Sequence, residues 1–230
     1  MEGALPMYVV MRALFRLATP TIIVPKILKD HVESLFEAHR AMSHSELRHT
    51  LVCLDVGEEF SLKKDFIVRA FRTYHVIPSQ GYLVYSVKER VKPEYVRYRG
   101  DEMKNLKLSG VELCFIDRPQ LHIDLIAFTG DTTSEFILDS DNLDVLKAKI
   151  LIMESTYIED SNTVEAARKY GHTHLSEIIE YADRFKNKAI LLIHFSARYN
   201  LDVIKTAVAR LPPPLSGRVF ALTEGFKANP

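Results

Sequence analysis

Cysteine is scarce: Cys53 and Cys114 are the only two in 230 residues, and neither sits in a C-x-x-C spacing. That excludes a disulfide framework and points to a reducing compartment. The cytoplasm is the expected address, with the nucleus or an organelle left open. Net charge is missing too. Thirty Lys and Arg cancel thirty Asp and Glu, so no global field draws the chain to nucleic acid, and any such contact must be local. No apolar run approaches the roughly 20 residues of a membrane-spanning helix. Residues 4–17 are apolar but hold Arg12 and Arg16, a poor secretory leader; a transit peptide is conceivable, but serine is absent and a helix is the favoured reading. Internal repeats and low-complexity tracts are absent. What remains has the 47% hydrophobic and 26% charged make-up of an ordinary globular chain, long enough for one sizeable core.

The periodicities place alternating elements along that core. Helices are expected over residues 5–17 and 26–42, with a short β-branched strand over 21–24 between them. Residues 50–55 and 60–62 flank Gly57 and read as a hairpin. Strands follow over 66–75 and 82–87, and again over 111–116 and 123–128. Residues 142–146 suit a short helix and 148–153 a buried strand. Helices over 163–170, ended by Gly171, and over 175–185 precede the strand 189–194. A helix over 201–209 and a strand over 218–221 complete one mixed α/β domain.

Three apolar segments end on metal-competent side chains. I-L-L-I-H-F-S-A-R-Y delivers His194, L-I-A-F-T-G-D-T delivers Asp131, and F-I-V-R-A-F-R-T-Y-H delivers His75. Carboxyl ends of strands carry the ligand sites of open α/β sheets, and imidazole and carboxylate suit Zn²⁺. Two have a plainer alternative, His75 as a loop histidine and T-G-D-T as an ordinary turn, while His194, followed at once by S-A-R-Y, is the hardest to dismiss. No local H-x-x-x-H strengthens the set. Glu154 in M-E-S-T ends a further apolar run, and His172 and His174 precede a helix start that favours anions. A Glu–His pair suits general acid work, or alternatively a capping cluster.

Residues 88–110 break the rhythm. Lys88, Arg90, Lys92, Arg97, Arg99, Lys104 and Lys107 mix there with four acids and two tyrosines. The composition suits an inserted arm for phosphate contact and base stacking, or a solvated loop.

Taken in order, F-R-T-Y-H-V-I-P-S-Q-G-Y, A-F-T-G-D-T, M-E-S-T-Y and L-L-I-H-F-S-A-R-Y resemble the short form of tRNase Z, plant members above all. The similarity runs over residues 3–226. It implies a metallo-β-lactamase-like αββα sandwich and zinc-dependent cutting of precursor tRNA after the discriminator base. Two zinc ions per active site and a homodimer are implied as well. Carried over, His75 ligates the first zinc, Asp131 bridges both and His194 ligates the second. Glu154 and His172 become the pair assisting the leaving group, with Met153 standing where many members have His. The chain reads H-T-H where the family often reads H-S-T. Arg198 and the arm residues Lys92, Arg97, Arg99 and Lys104 become substrate contacts.

The family's H-x-H-x-D-H motif occurs nowhere in the 230 residues, which open M-E-G-A-L-P-M-Y where that motif would just have ended. The fold is therefore expected in an N-terminally truncated form, with both zincs not fully bound. Besides the endoribonuclease, two alternatives stay open: an inactive tRNA-binding or dimer-partner protein, and a metallo-hydrolase of a small molecule.

Overall fold

Side chains alternate along β4 (Phe66–Arg72): Ile67 and Phe71 join the largest core cluster, while Val68 and Ala70 join another on the opposite face. β5 (Gln80–Ser86) does the same, with Leu83 and Tyr85 against Tyr82 and Val84. Strands apolar on both faces need cover on both. The computed structural model, which describes residues 4–63, 65–117, 126–159 and 163–223, shows that cover.

Seven strands form the central sheet. Across it run β11 (Val219–Ala221), β10 (Ala189–Ile193), β9 (Ile150–Glu154), β8 (Ile126–Phe128), β5, β4 and β3 (Glu59–Lys63). The first four are mutually parallel; from β8 onward the pairing is antiparallel. A parallel ribbon of β1 (Thr21–Pro25) and β2 (Thr50–Leu54) covers one face, packing Ile23, Val52 and Leu54 near Val68 and Ala70. Helices α1 (Ala4–Leu14) and α2 (Lys29–Ser43) close that side around Val9, Ile22, Phe36 and Leu47. On the other face lie α4 (Glu135–Leu138), α6 (Leu175–Glu180) and α7 (Leu201–Ala209), contributing Phe136, Ile137, Leu175, Ile178 and Ile204 to the main core. The layers are helix, sheet, sheet, helix, as expected.

Several sequence expectations need correction. Residues 50–55 and 60–62 do not form a hairpin: β2 pairs with β1 and β3 with β4. The turn at Gly57 instead carries the chain from one layer to the next, because Leu54 is buried against the face of β4 rather than beside β3. The segment 111–116 does not rejoin the main sheet. β7 (Cys114–Asp117) pairs antiparallel with β6 (Lys88–Val91), closing a separate ribbon that carries α3 (Asp101–Leu108) between its strands. The strand expected to reach His75 stops at Arg72, where a loop closed by the Thr73–Ser79 hydroxyl contact (2.8 Å) begins. The helix over 5–17 ends at Leu14; the Arg12 guanidinium donates to the Ala18 carbonyl and turns the chain. The helix expected over 142–146 is instead two 3₁₀ turns, Ser140–Asn142 and Val145–Lys147, and Ala182–Arg184, within the helix expected over 175–185, is another. Residues 123–125 of an expected strand lie outside the described residues.

Candidate active site

Glu154 is the last residue of β9 and is fully buried. Burying a bare carboxylate costs several kcal/mol unless hydrogen bonds offset it. Here five donors converge. Oε1 accepts from the Thr132 amide (2.7 Å) and from His172 Nδ1 (2.8 Å). Oε2 accepts from the Thr156 amide (3.3 Å), the Thr156 hydroxyl (2.5 Å) and the Thr173 amide (3.2 Å). Glu154 thereby ties together the loops after β8, β9 and α5 (Val164–Lys169).

The loop after α5 grips the site from above. The Thr173 hydroxyl donates to the Thr132 carbonyl (2.7 Å). His75 Nδ1 donates to the Gly171 carbonyl (2.8 Å). Gly171 has φ +78°, and a Cβ there would stand 2.2 Å from His75 Nδ1 and 2.8 Å from the Val76 amide nitrogen. Gly171→Ala should therefore cost about 1–3 kcal/mol of stability through backbone strain and displacement of His75. Urea unfolding measures it; an unchanged midpoint would show that the loop yields without cost.

His194 follows β10 directly and adopts φ +61°, uncommon for a residue with a Cβ. Its Nδ1 meets the Thr156 hydroxyl at 2.9 Å, and its Nε2 lies 3.6 Å from Asp131 Oδ1. Asp131, His172 and His194 form a group whose ligand atoms all lie within 4.8 Å of one another. Ligand atoms around a single tetrahedral zinc stand roughly 3.4 Å apart, given bond lengths near 2.1 Å. Two imidazole nitrogens and a carboxylate at this separation are a candidate donor set for one metal ion.

His172 is largely buried, and its pKa lies above the ordinary imidazole value. The hydrogen bond to Glu154 raises it most, with that carboxylate's charge and Asp131 adding to it and burial opposing.

The structure brings Asp131, Glu154, His172 and His194 together. His75 borders them, its ring centroid 5.1 Å from that of His172, on the wall of a cleft of about 510 Å³ running past Ile77 and Arg168. Arg198 is exposed just beyond β10. The arm residues stand elsewhere on the chain, on the β6–β7 excursion: Lys92 is ion-paired with Glu112 (3.0 Å), Arg97 lies over the Tyr98 ring (5.3 Å), and Arg99 and Lys104 are exposed. His174 is committed to capping α6: its Nδ1 accepts from the Ser176 amide (3.1 Å), within a capping box completed by Glu177. Met153 is core. The sequence reading missed Thr156, Thr132 and Gly171. Of these only Thr156 had a signal, a hydroxyl two residues beyond a strand-end carboxylate.

No family model matches the chain. Individual relatives do. The chain is 59% identical over 225 residues to tRNase Z TRZ1 of Arabidopsis thaliana, covering 97% of itself and 79% of that protein. The chain belongs to the tRNase Z family. It is also 47% identical to the chloroplastic tRNase Z TRZ2 of the same plant, spanning 99% of itself but 63% of that relative. Among solved structures, the metallo-β-lactamase fold protein YhfI of Bacillus subtilis matches with a TM-score of 0.57 at 12% identity. Human tRNase Z, short form, matches with 0.52 at 20%. Each covers 97% of this chain and 71% of the other, and at these identities they establish the fold alone. Among the described residues, no helix is long and apolar enough to cross a membrane.

Proposed function

We propose that the chain is a zinc-dependent endoribonuclease that processes tRNA 3′ ends, cutting precursor tRNA after the discriminator base. The observation that carries this is the Glu154–His172 pair set against the Asp131–His194 metal cluster in a member of the tRNase Z family. Asp131 and His194 would hold zinc, with His75 at the border of the group, its ring 5.1 Å from that of His172. A bound zinc supplies Lewis-acid polarisation of the scissile phosphate and acidifies the attacking water. The chain's own residues do the rest. Glu154 keeps His172 protonated and oriented, and His172 gives its proton to the leaving ribose oxygen. Arg198 is proposed as a phosphate contact beside the site.

The test is a precursor tRNA with a 3′ trailer, incubated in zinc or in chelator with the protein joined to a segment carrying H-x-H-x-D-H. The product should end at the discriminator base, and chelator should abolish it. Cleavage elsewhere, or cleavage indifferent to chelator, would overturn the assignment. The second reading kept beside it is a protein of the same family that binds tRNA without cutting it. Binding by the 230 residues in the absence of cleavage distinguishes the two.

The β6–β7 excursion is proposed as the main tRNA contact outside the cleavage site. Arg99 and Lys104 are exposed on it, and Arg97 and Tyr98 present a cation beside a ring. Lys92 contributes less, because Glu112 already neutralises it. Replacing Arg97, Arg99 and Lys104 with Ala should weaken binding and flatten its salt dependence by roughly one unit of slope for each phosphate no longer neutralised. Unchanged affinity and slope would remove the excursion from the interface.

A second copy of the chain is the proposed protein partner, supported by the exposed Met7, Tyr8, Leu14, Phe15 and Leu17 in and just after α1. A reducing compartment, the cytoplasm first, is supported by the free thiols of Cys53 and Cys114.

A further inference from the structure

We infer that the buried Glu154 carboxylate fixes the tautomer of two imidazoles, His172 directly and His194 through the Thr156 hydroxyl. Thr156 is thereby a positioning residue that commits the His194 Nε2 lone pair to the cation site. The inference deepens the proposed function, resting on its reading of His194 as a metal ligand.

The placement of the protons decides it. A carboxylate accepts only, and a threonine hydroxyl has one proton and two lone pairs. Thr156 Oγ1 lies 2.5 Å from Glu154 Oε2 and 2.9 Å from His194 Nδ1. Were the hydroxyl proton aimed at His194, two oxygen lone pairs would face each other across 2.5 Å, with the carboxylate fully buried. The proton therefore belongs to the carboxylate, and Thr156 can only accept from His194. Nδ1 of His194 must carry hydrogen, so in the neutral imidazole its Nε2 is the bare nitrogen. That nitrogen faces Asp131 Oδ1 at 3.6 Å, two acceptors at the spacing a shared cation satisfies.

Neutral histidine in water favours the other tautomer, with its proton on Nε2. Without the relay, the lone pair of His194 would point toward Thr156 and away from Asp131. His172 needs no relay: its Nδ1 donates to Glu154 at 2.8 Å, so whenever its ring is neutral Nε2 is the bare nitrogen. The two rings stand 5.3 Å apart, so one carboxylate organises both. Ligand-orienting partners of this kind are worth about 10–100-fold in metal affinity.

The test compares Thr156→Val, nearly isosteric, with Thr156→Ser, which keeps the hydroxyl, and Thr156→Ala in case valine is not accommodated. Long-range ¹H–¹⁵N spectra of the metal-free 230-residue chain at alkaline pH report which ring nitrogen is protonated. In the parent and the serine variant His194 should be protonated on Nδ1 alone. In the valine and alanine variants the Nε2–H form should appear, while His172 stays on Nδ1 as an internal control. Zinc affinity, measured by competition with a chromophoric chelator, should fall about 10–100-fold with valine and recover with serine. An Nδ1–H His194 retained without the hydroxyl, or a folded serine variant that fails to restore it, overturns the inference. Neither outcome depends on RNA cleavage, so failure of the nuclease assignment would leave this result standing, and the reverse.

Discussion

Replacing His172 with alanine should lower the rate of precursor-tRNA cleavage by roughly two to four orders of magnitude, measured with the H-x-H-x-D-H segment joined on. Substrate affinity should change much less, since the residue acts on the leaving group rather than on tRNA binding. The pH profile carries the sign. A proton donor must enter the reaction protonated, and the hydrogen bond and charge of Glu154 raise the His172 pKa. The protonated form therefore persists to higher pH than for an ordinary imidazole, and the rate should fall only as pH rises through the raised value. Glu154→Gln removes the charge and should move that alkaline limb to lower pH. A His172→Ala enzyme that cleaves at the normal rate, or a limb that Glu154→Gln leaves in place, would return the pair to a structural role.

The positions of Glu154 and His194 were legible because β9 and β10 are parallel strands buried in the core. Ile190, Leu192, Leu151 and Met153 give the apolar runs that announce such strands, and the first polar residue after each run falls at the strand's end. Asp131 followed the same logic three residues beyond β8. The pairing of β1 with β2 was not legible. Two short β-branched segments separated by a helix carry no local sign of whether they pair with each other or with the next strand. Only the demand of β4 for cover on both faces decides it. The β6–β7 ribbon escaped for a related reason: its two strands are four residues each, and charged side chains on Lys88, Glu89 and Arg90 hide their period.

The groups that hold the site still were the least legible. Thr132 and Thr173 look like loop residues in sequence, and each gains meaning only from a carboxylate or carbonyl on another segment, while Thr156 gains its second partner, His194, only from the fold. Gly171 reads as a helix stop, and it is one; that its carbonyl also orients a histidine 96 positions earlier is a property of the fold. Similarly, His174 looked as available as His172, until the start of α6 claimed it as a cap. Spacing names the chemistry a residue can do, and tertiary hydrogen bonds decide which of two neighbours does it.

Expressed by themselves, the 230 residues should hold at most about one zinc per chain after dialysis and should not cleave precursor tRNA. A catalytic zinc takes about three protein ligands plus water. A pair of zincs sharing one carboxylate therefore needs about five protein groups between them. The described residues place three together, Asp131, His172 and His194, with His75 at the border. In this state His172 is the third ligand for a lone metal, which takes it away from proton donation. Two consequences follow for metal content. His194→Ala should abolish the single bound zinc, since it leaves a donor set too small to compete with water. Joining a segment with H-x-H-x-D-H should raise the content toward two, free His172 Nε2 for proton donation, and bring cleavage with it. Metal analysis by mass spectrometry together with a trailer-cleavage assay decides the matter. Near two zinc per chain with robust cleavage from the 230 residues alone would mean that the ligand set has been assigned to the wrong residues.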